Sequence, residues 1–275
     1  MLPIRDANPT RHLAFVTIAL IAANIVVFLF WEPTLSSPKN PELAQQTLFW
    51  CHGLIPYEVT HDTDLAQGGP NAVRAIDVEE PGQPGLGHAL QEYLRRKCPQ
   101  KSWVASVFES MFLHAGWLHI GGNMLFLWIF GNNIEDRLRP LRYLIFYLVG
   151  GIAAAGLLVA LAPSSTVPSV GASGAIAAVL GAYIVLYPRA RVTTVVFFFL
   201  ITIVELPAIV VLGAWFVLQL LDGIGQFGSN VNSGVAYAAH VGGFVFGAIV
   251  GLFLRGGGRG RTISPLPPAP ASPFD

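Results

Sequence analysis

The sequence predicts an all-α, polytopic membrane protein in which six transmembrane helices form one bundle and a long external loop follows the first helix. Three observations carry this expectation. The chain is 53% hydrophobic and only 12% charged, whereas a soluble domain carries about a quarter charged residues. It contains six apolar stretches near the roughly 20 residues that a bilayer-spanning helix requires. Its arginines fall on alternate connections between those stretches.

In chain order, the predicted spans are roughly 13–31, 112–134, 143–162, 169–187, about 205–222 and 234–254. The first is too long for the apolar region of a signal peptide and ends in bulky Phe30 and Trp31, so it is expected to remain as an anchor. The external loop, 32–111, has no run long enough to cross, and its ten acidic residues outnumber six basic ones. The stretch 192–221 is too long for one span and is interrupted by Glu205-Leu-Pro207; 192–204 is expected to lie as an interfacial or re-entrant segment. Phe197, Phe198 and Phe199 within it read as lipid contacts, and Glu205 and Asp222 as flanks of the span that follows. The organisation is therefore an N-terminal segment 1–12, a membrane domain 13–254 and a Gly/Arg-rich, then Pro-rich, tail 255–275 whose composition cannot build a core.

Orientation follows from the short connections. One set holds Arg5 and Arg11; Arg137, Arg139 and Arg142; Arg189 and Arg191; then Arg255, Arg259 and Arg261. The opposite connections, 163–168 and 222–233, hold no Lys or Arg. Positive charge in short loops marks the cytoplasmic side, and long loops are exempt. Both termini are expected to be cytoplasmic and 32–111 external, in a cell membrane of bacterial type. The net charge of zero gives no field that would attract nucleic acid. Cys51 and Cys98, the only cysteines, share the external loop, where disulfides can form, and they are expected to pair, although sequence separation does not show whether their Cα atoms come within range.

Polar groups inside a bilayer are costly unless they meet a partner or a cavity. Three clusters stand out: His114, His119 and Asn123 at the start of the second span, Gly171-Ala-Ser173-Gly174 in the fourth, and Ala239-His240-Val-Gly-Gly243 in the sixth. At 1.5 Å of rise per residue, Ser173 and His240 lie roughly 5–10 Å below the same face of the membrane. Small residues repeat every four positions beside each of them, Gly174, Ala178 and Ala182 on one helix and Gly243, Gly247 and Gly251 on the other. Such stripes let membrane helices approach closely.

A serine hydroxyl becomes a nucleophile when an imidazole takes its proton, so Ser173 and His240 form the minimum for acyl transfer. His119 and Asn123 are one turn apart and face the same way. With the Ser173 backbone N–H they could donate to a developing oxyanion.

The H-x4-H-x3-N array, the G-x-S-G motif and A-H-x-x-G-x-x-x-G, in this order on the second, fourth and sixth spans, resemble the signature of the rhomboid family of intramembrane serine proteases. The resemblance is strongest over roughly 112–254. It implies a six-helix core, Ser173 as nucleophile, His240 as base, His119 and Asn123 as oxyanion donors, His114 and Gly171 shaping that site, no cofactor, and transmembrane proteins as substrates. It also implies charged residues at the inner end of the second span, which Glu135 and Arg137 resemble; these read as satisfying one another and helix ends. One departure stands out. Many members stack an aromatic residue, four positions after the serine, on the histidine, and this chain has Ala177 there. Something else must orient His240.

Other readings remain beside this one. The small residues around Ser173 also suit plain helix packing, and three histidines could hold a metal, although no His-Glu-x-x-His helix or cysteine cluster accompanies them. A catalytically inactive relative that binds membrane clients is a second function class. A transporter or channel is a third, without the paired broken helices of inverted repeats.

Overall fold

The computed structural model describes residues 2–32, 41–79, 85–197, 201–226 and 234–256. Phe198, Phe199, the Phe197 and Asp222 side chains and the tail from 257 lie outside the described residues.

The chain is mostly helical. A short strand β1 (Leu2–Asp6) precedes α1 (Phe15–Val26), which continues as a π-helical turn Val27–Trp31. Among the described residues five short helices follow: α2 (Pro41–His52), α3 (Pro56–His61), α4 (Gly69–Glu79), α5 (Leu86–Lys97) and α6 (Trp103–Glu109), the last running into a 3-10 turn Ser110–Phe112. Then come α7 (Trp117–Leu138), α8 (Pro140–Leu161), α9 (Ser173–Leu186), strands β2 (Arg191–Phe197) and β3 (Ile201–Pro207), α10 (Ala208–Gln226) and α11 (Gly234–Gly256). Among the described residues, two helices, Pro140–Leu161 and Tyr237–Gly256, are long and apolar enough to cross a membrane, and Phe15–Trp31, Ser173–Leu186 and Ala208–Leu221 are shorter apolar helices.

Helix α9 sits at the centre, with every side from Gly174 to Tyr183 buried, as expected of a helix apolar all round. It packs on α7, α8 and α11. The two small-residue stripes meet rung by rung: a Cβ on Gly243 would strike the Gly174 carbonyl, one on Gly247 the Ala178 carbonyl, and one on Gly251 would press on Ala182. This register leaves no room for larger residues and brings the starts of both helices together.

Charged side chains tie the opposite end. Glu135 caps α1, accepting from the N–H groups of Val16 (2.9 Å) and Thr17 (2.7 Å) and from the Thr17 hydroxyl (2.8 Å). Arg137 donates to the Leu254 carbonyl at the end of α11 (2.9 Å). The two serve helix ends rather than one another, a carboxylate at an N-terminus and a guanidinium at a C-terminus, each favourable to the helix dipole.

The fold is not purely helical. Of the segment 192–204, expected as interfacial or re-entrant, the described residues 192–197 and 201–204 lie in the antiparallel pair β2–β3, and β1 adds to β2, giving a sheet ordered β1-β2-β3. The reason is local: Arg191-Val-Thr-Thr-Val-Val and Ile201-Thr-Ile-Val are β-branched runs that suit a pleated surface. Glu205 lies on β3 and pairs with Arg191 across the hairpin (3.2 Å).

The segment expected as a loop-rich insertion folds as a helical lobe with its own core, including Ile55, Tyr57, Leu65, Ile76 and Leu94. A buried Lys101–Glu58 ion pair (2.7 Å) lies within it, and the Lys101 ammonium also donates to the Trp50 carbonyl (2.7 Å). Cys51 and Cys98 are bonded, with Cα atoms 5.3 Å apart. Closing 47 residues of chain stabilises the lobe by about 4 kcal/mol in the chain-entropy account. Reduction, or the pair Cys51→Ser and Cys98→Ser, is expected to make α2 to α6 the first part cut in limited proteolysis, while the same digestion of oxidised protein leaves the lobe intact.

Candidate active site

The approach to Ser173 is held from outside the bundle. Leu54 exchanges two backbone hydrogen bonds with Ser169 (3.0 and 2.8 Å), the Tyr57 N–H donates to the Ser165 carbonyl (2.9 Å), and the Gly171 N–H donates to the Ser110 carbonyl (2.8 Å). The lobe thereby clasps the chain leading into α9. At Gly171 the backbone has φ +130°, a conformation that favours glycine. A Cβ there would also lie 2.9 Å from His119 Cε1 and Nε2.

This turn sets Ser173 as the first residue of α9, whereas the sequence suggested a helix already begun at 169. The serine therefore sits where helix N–H groups have no intrahelical acceptor. From α11, His240 Nε2 lies 2.8 Å from Ser173 Oγ. Both residues are half-buried.

Asn123 and His119 come from the first turns of α7. Asn123 is buried, and its Nδ2 has no partner among the described residues. The Ala115 N–H donates to His119 Nδ1 (3.2 Å). An acceptor at Nδ1 means that neutral His119 carries its proton on Nε2, the atom that faces Gly171. His114 is buried with its ring 5.1 Å from that of His119, in an edge arrangement. Ser173, His240, Gly171, His119 and His114 are thus linked by direct contacts, and Asn123 lies one turn along α7 from His119. A cleft beside Ser173 is lined by Leu54, Ser110, Met111, Gly151 and Ala154, among others.

Sequence reasoning missed three contributors. Trp215 of α10 lies 6.0 Å from the His240 ring and Tyr237 lies 6.2 Å from it; these rings flank the histidine where Ala177 offers none. The third is Glu32, fully buried at the end of the π turn, whose Oε1 accepts from the His114 N–H (2.6 Å). Spacing gave no signal for Trp215 or Tyr237, and Glu32 read only as the first residue of a loop.

A mostly helical protein with long apolar helices and a half-buried Ser–His contact between two of its helices is the frame in which its relatives are compared. Residues 101–257 match the Rhomboid domain, and the chain belongs to the rhomboid family. It is therefore an integral membrane protein. It is similar to the mitochondrial Rhomboid protein 1 of Saccharomyces cerevisiae, 31% identical over 62% of this chain and 48% of that one. It is also similar to Rhomboid protease GluP of Bacillus subtilis, 34% identical over 46% of this chain and 24% of the relative. Rhomboid-like protease 5 of Toxoplasma gondii is 33% identical over 69% of this chain and 21% of its own length. The matched regions span less than half of each of these relatives.

Proposed function

We propose that the chain is an intramembrane serine endopeptidase that hydrolyses peptide bonds in or near the transmembrane segments of other membrane proteins. The observation that carries this reading is the 2.8 Å contact between His240 Nε2 and Ser173 Oγ. As Oγ attacks a backbone carbonyl, Nε2 takes its proton, and the carbonyl oxygen becomes an oxyanion. The Ser173 N–H at the start of α9, the Asn123 amide and His119 Nε2–H are the donors available to it. His240 then returns the proton to the leaving amine, giving an acyl-enzyme on Ser173. Water, activated by the same imidazole, releases the second product.

The proposal extends to the membrane. Six helices, α1 and α7 to α11, cross the bilayer, with the α2–α6 lobe external and both termini cytoplasmic. The arginine distribution supports this orientation, and the pairing of Cys51 with Cys98 agrees with a lobe outside the cytoplasm. The yeast relative's name is mitochondrial, whereas the Bacillus relative is bacterial; a bacterial inner membrane is the location proposed here. Partners are the lipid bilayer and single-pass substrates, with no nucleic acid.

The test is cleavage of a panel of tagged transmembrane segments by the purified protein. Asn123→Ala is expected to slow the best substrate roughly tenfold to a thousandfold, since one oxyanion donor is lost while two remain. An unchanged rate would remove Asn123 from the site.

A further inference from the structure

The end of α1 is fastened to the start of α7 by contacts that the proposed reaction does not use directly. Phe28 meets Trp117 edge-on with ring centroids 4.8 Å apart. The π turn closes with the Glu32 N–H on the Val27 carbonyl (3.1 Å), five residues back. π turns of this kind occur often at functional sites. This one delivers Glu32 into a fully buried position against His114.

A carboxyl there is an expensive way to fill space. Its Oε1 takes the His114 N–H at 2.6 Å, a short, strong contact. The Gln45 side chain of α2 also approaches this carboxyl. The Gln45 amide reaches the His114 carbonyl at 3.5 Å as well. The backbone of His114 is thus gripped at its N–H, and the next residue, Ala115, supplies the N–H that engages His119 Nδ1 at 3.2 Å.

We propose that Glu32 is a positioning residue for the oxyanion site: it holds the Leu113–Gly116 turn so that the Ala115 N–H fixes His119 in the tautomer whose Nε2–H faces the reacting carbonyl. The inference rests on the protease reading above and adds a residue outside its motifs. The chain of contacts runs from Glu32 to His114, Ala115, His119 and the Gly171–Ser173 turn. Released from Glu32, the turn can move, and His119 loses the partner that selects its tautomer. The oxyanion then keeps two dependable donors. Burial lifts the Glu32 pKa to about 7, so acid and carboxylate coexist near neutral pH. In both forms an oxygen can accept from His114, and glutamine is therefore the conservative substitute.

The test uses the full chain in proteoliposomes with a tagged transmembrane substrate. Glu32→Ala is expected to lower kcat about ten- to a hundredfold with KM within about twofold, and Glu32→Gln to stay within about threefold of the parent. The double variant Glu32→Ala, His119→Ala should be no slower than His119→Ala alone, because Glu32 acts through His119; a merely structural role would multiply the two losses. Multiplied losses, or a Glu32→Ala protein with parental kcat, would overturn the inference. If Glu32→Ala fails to fold, Glu32→Gln decides, since a folded Gln variant slowed more than tenfold contradicts the acceptor role. Parent protein no faster than Ser173→Ala would instead sink the protease reading, and this inference with it.

Discussion

Ser173→Ala is expected to leave the protein folded and to abolish cleavage, a fall of at least about 10⁴-fold. Alanine occupies the same place at the start of α9 and removes only a hydroxyl whose partner in the structure is His240 Nε2, 2.8 Å away. His240→Ala should be nearly as damaging, because without the imidazole the serine keeps its proton and the leaving amine receives none. The two losses should not multiply. A nucleophile and its base work as one unit, so the double variant is expected to match either single variant. The comparison needs purified protein, equal thermal midpoints and a substrate that the parent protein cleaves.

Gly247→Val is expected to lose both stability and activity without touching the reacting groups. A Cβ at 247 would overlap the backbone carbonyl of Ala178, and backbone in the middle of a buried helix cannot turn aside as a side-chain tip can. Helices α9 and α11 must separate, costing about 3 kcal/mol or more. Because the same two helices carry Ser173 and His240, a shift near 1 Å lowers the rate about a hundredfold. Gly156→Ala is the control, since nothing lies within 4 Å of a Cβ there. Thermal unfolding and cleavage assays of the two variants should diverge sharply, and a Gly247→Val protein as stable and active as the parent would refute the packing account.

Much of the helical core was legible because it obeys two strong rules. Apolar runs mark helices, and polar residues within them demand a reason. The paired stripes Gly174, Ala178, Ala182 and Gly243, Gly247, Gly251 even carried the register of α9 on α11, since only small residues permit that approach. The strand pairing of β2 and β3 was missed because length and hydropathy were weighed before the β-branched runs, Arg191-Val-Thr-Thr-Val-Val and Ile201-Thr-Ile-Val. The start of α9 was placed too early because a positive φ at Gly171 follows from tertiary contacts, the Ser110 carbonyl and the His119 ring, that lie about 50 residues or more away in sequence. The lobe's fold was hidden for a similar reason. Its core is assembled from short helices, while the pairing of Cys51 with Cys98, expected from their shared place outside, is present in the structure. Glu32 was invisible for the plainest reason: an acid after an apolar run reads as the beginning of solvent, and only the buried His114 N–H opposite it changes that meaning.

The most direct test of the central claim is to expose the membrane-reconstituted protein to a fluorophosphonate and locate the adduct by mass spectrometry of its peptides. An activated serine is phosphonylated, whereas ordinary hydroxyls are not. The account predicts a single adduct on Ser173, absent from His240→Ala and slowed in Asn123→Ala. Parent protein that stays unmodified under conditions that label a control serine hydrolase, or that is labelled equally with and without His240, would contradict it.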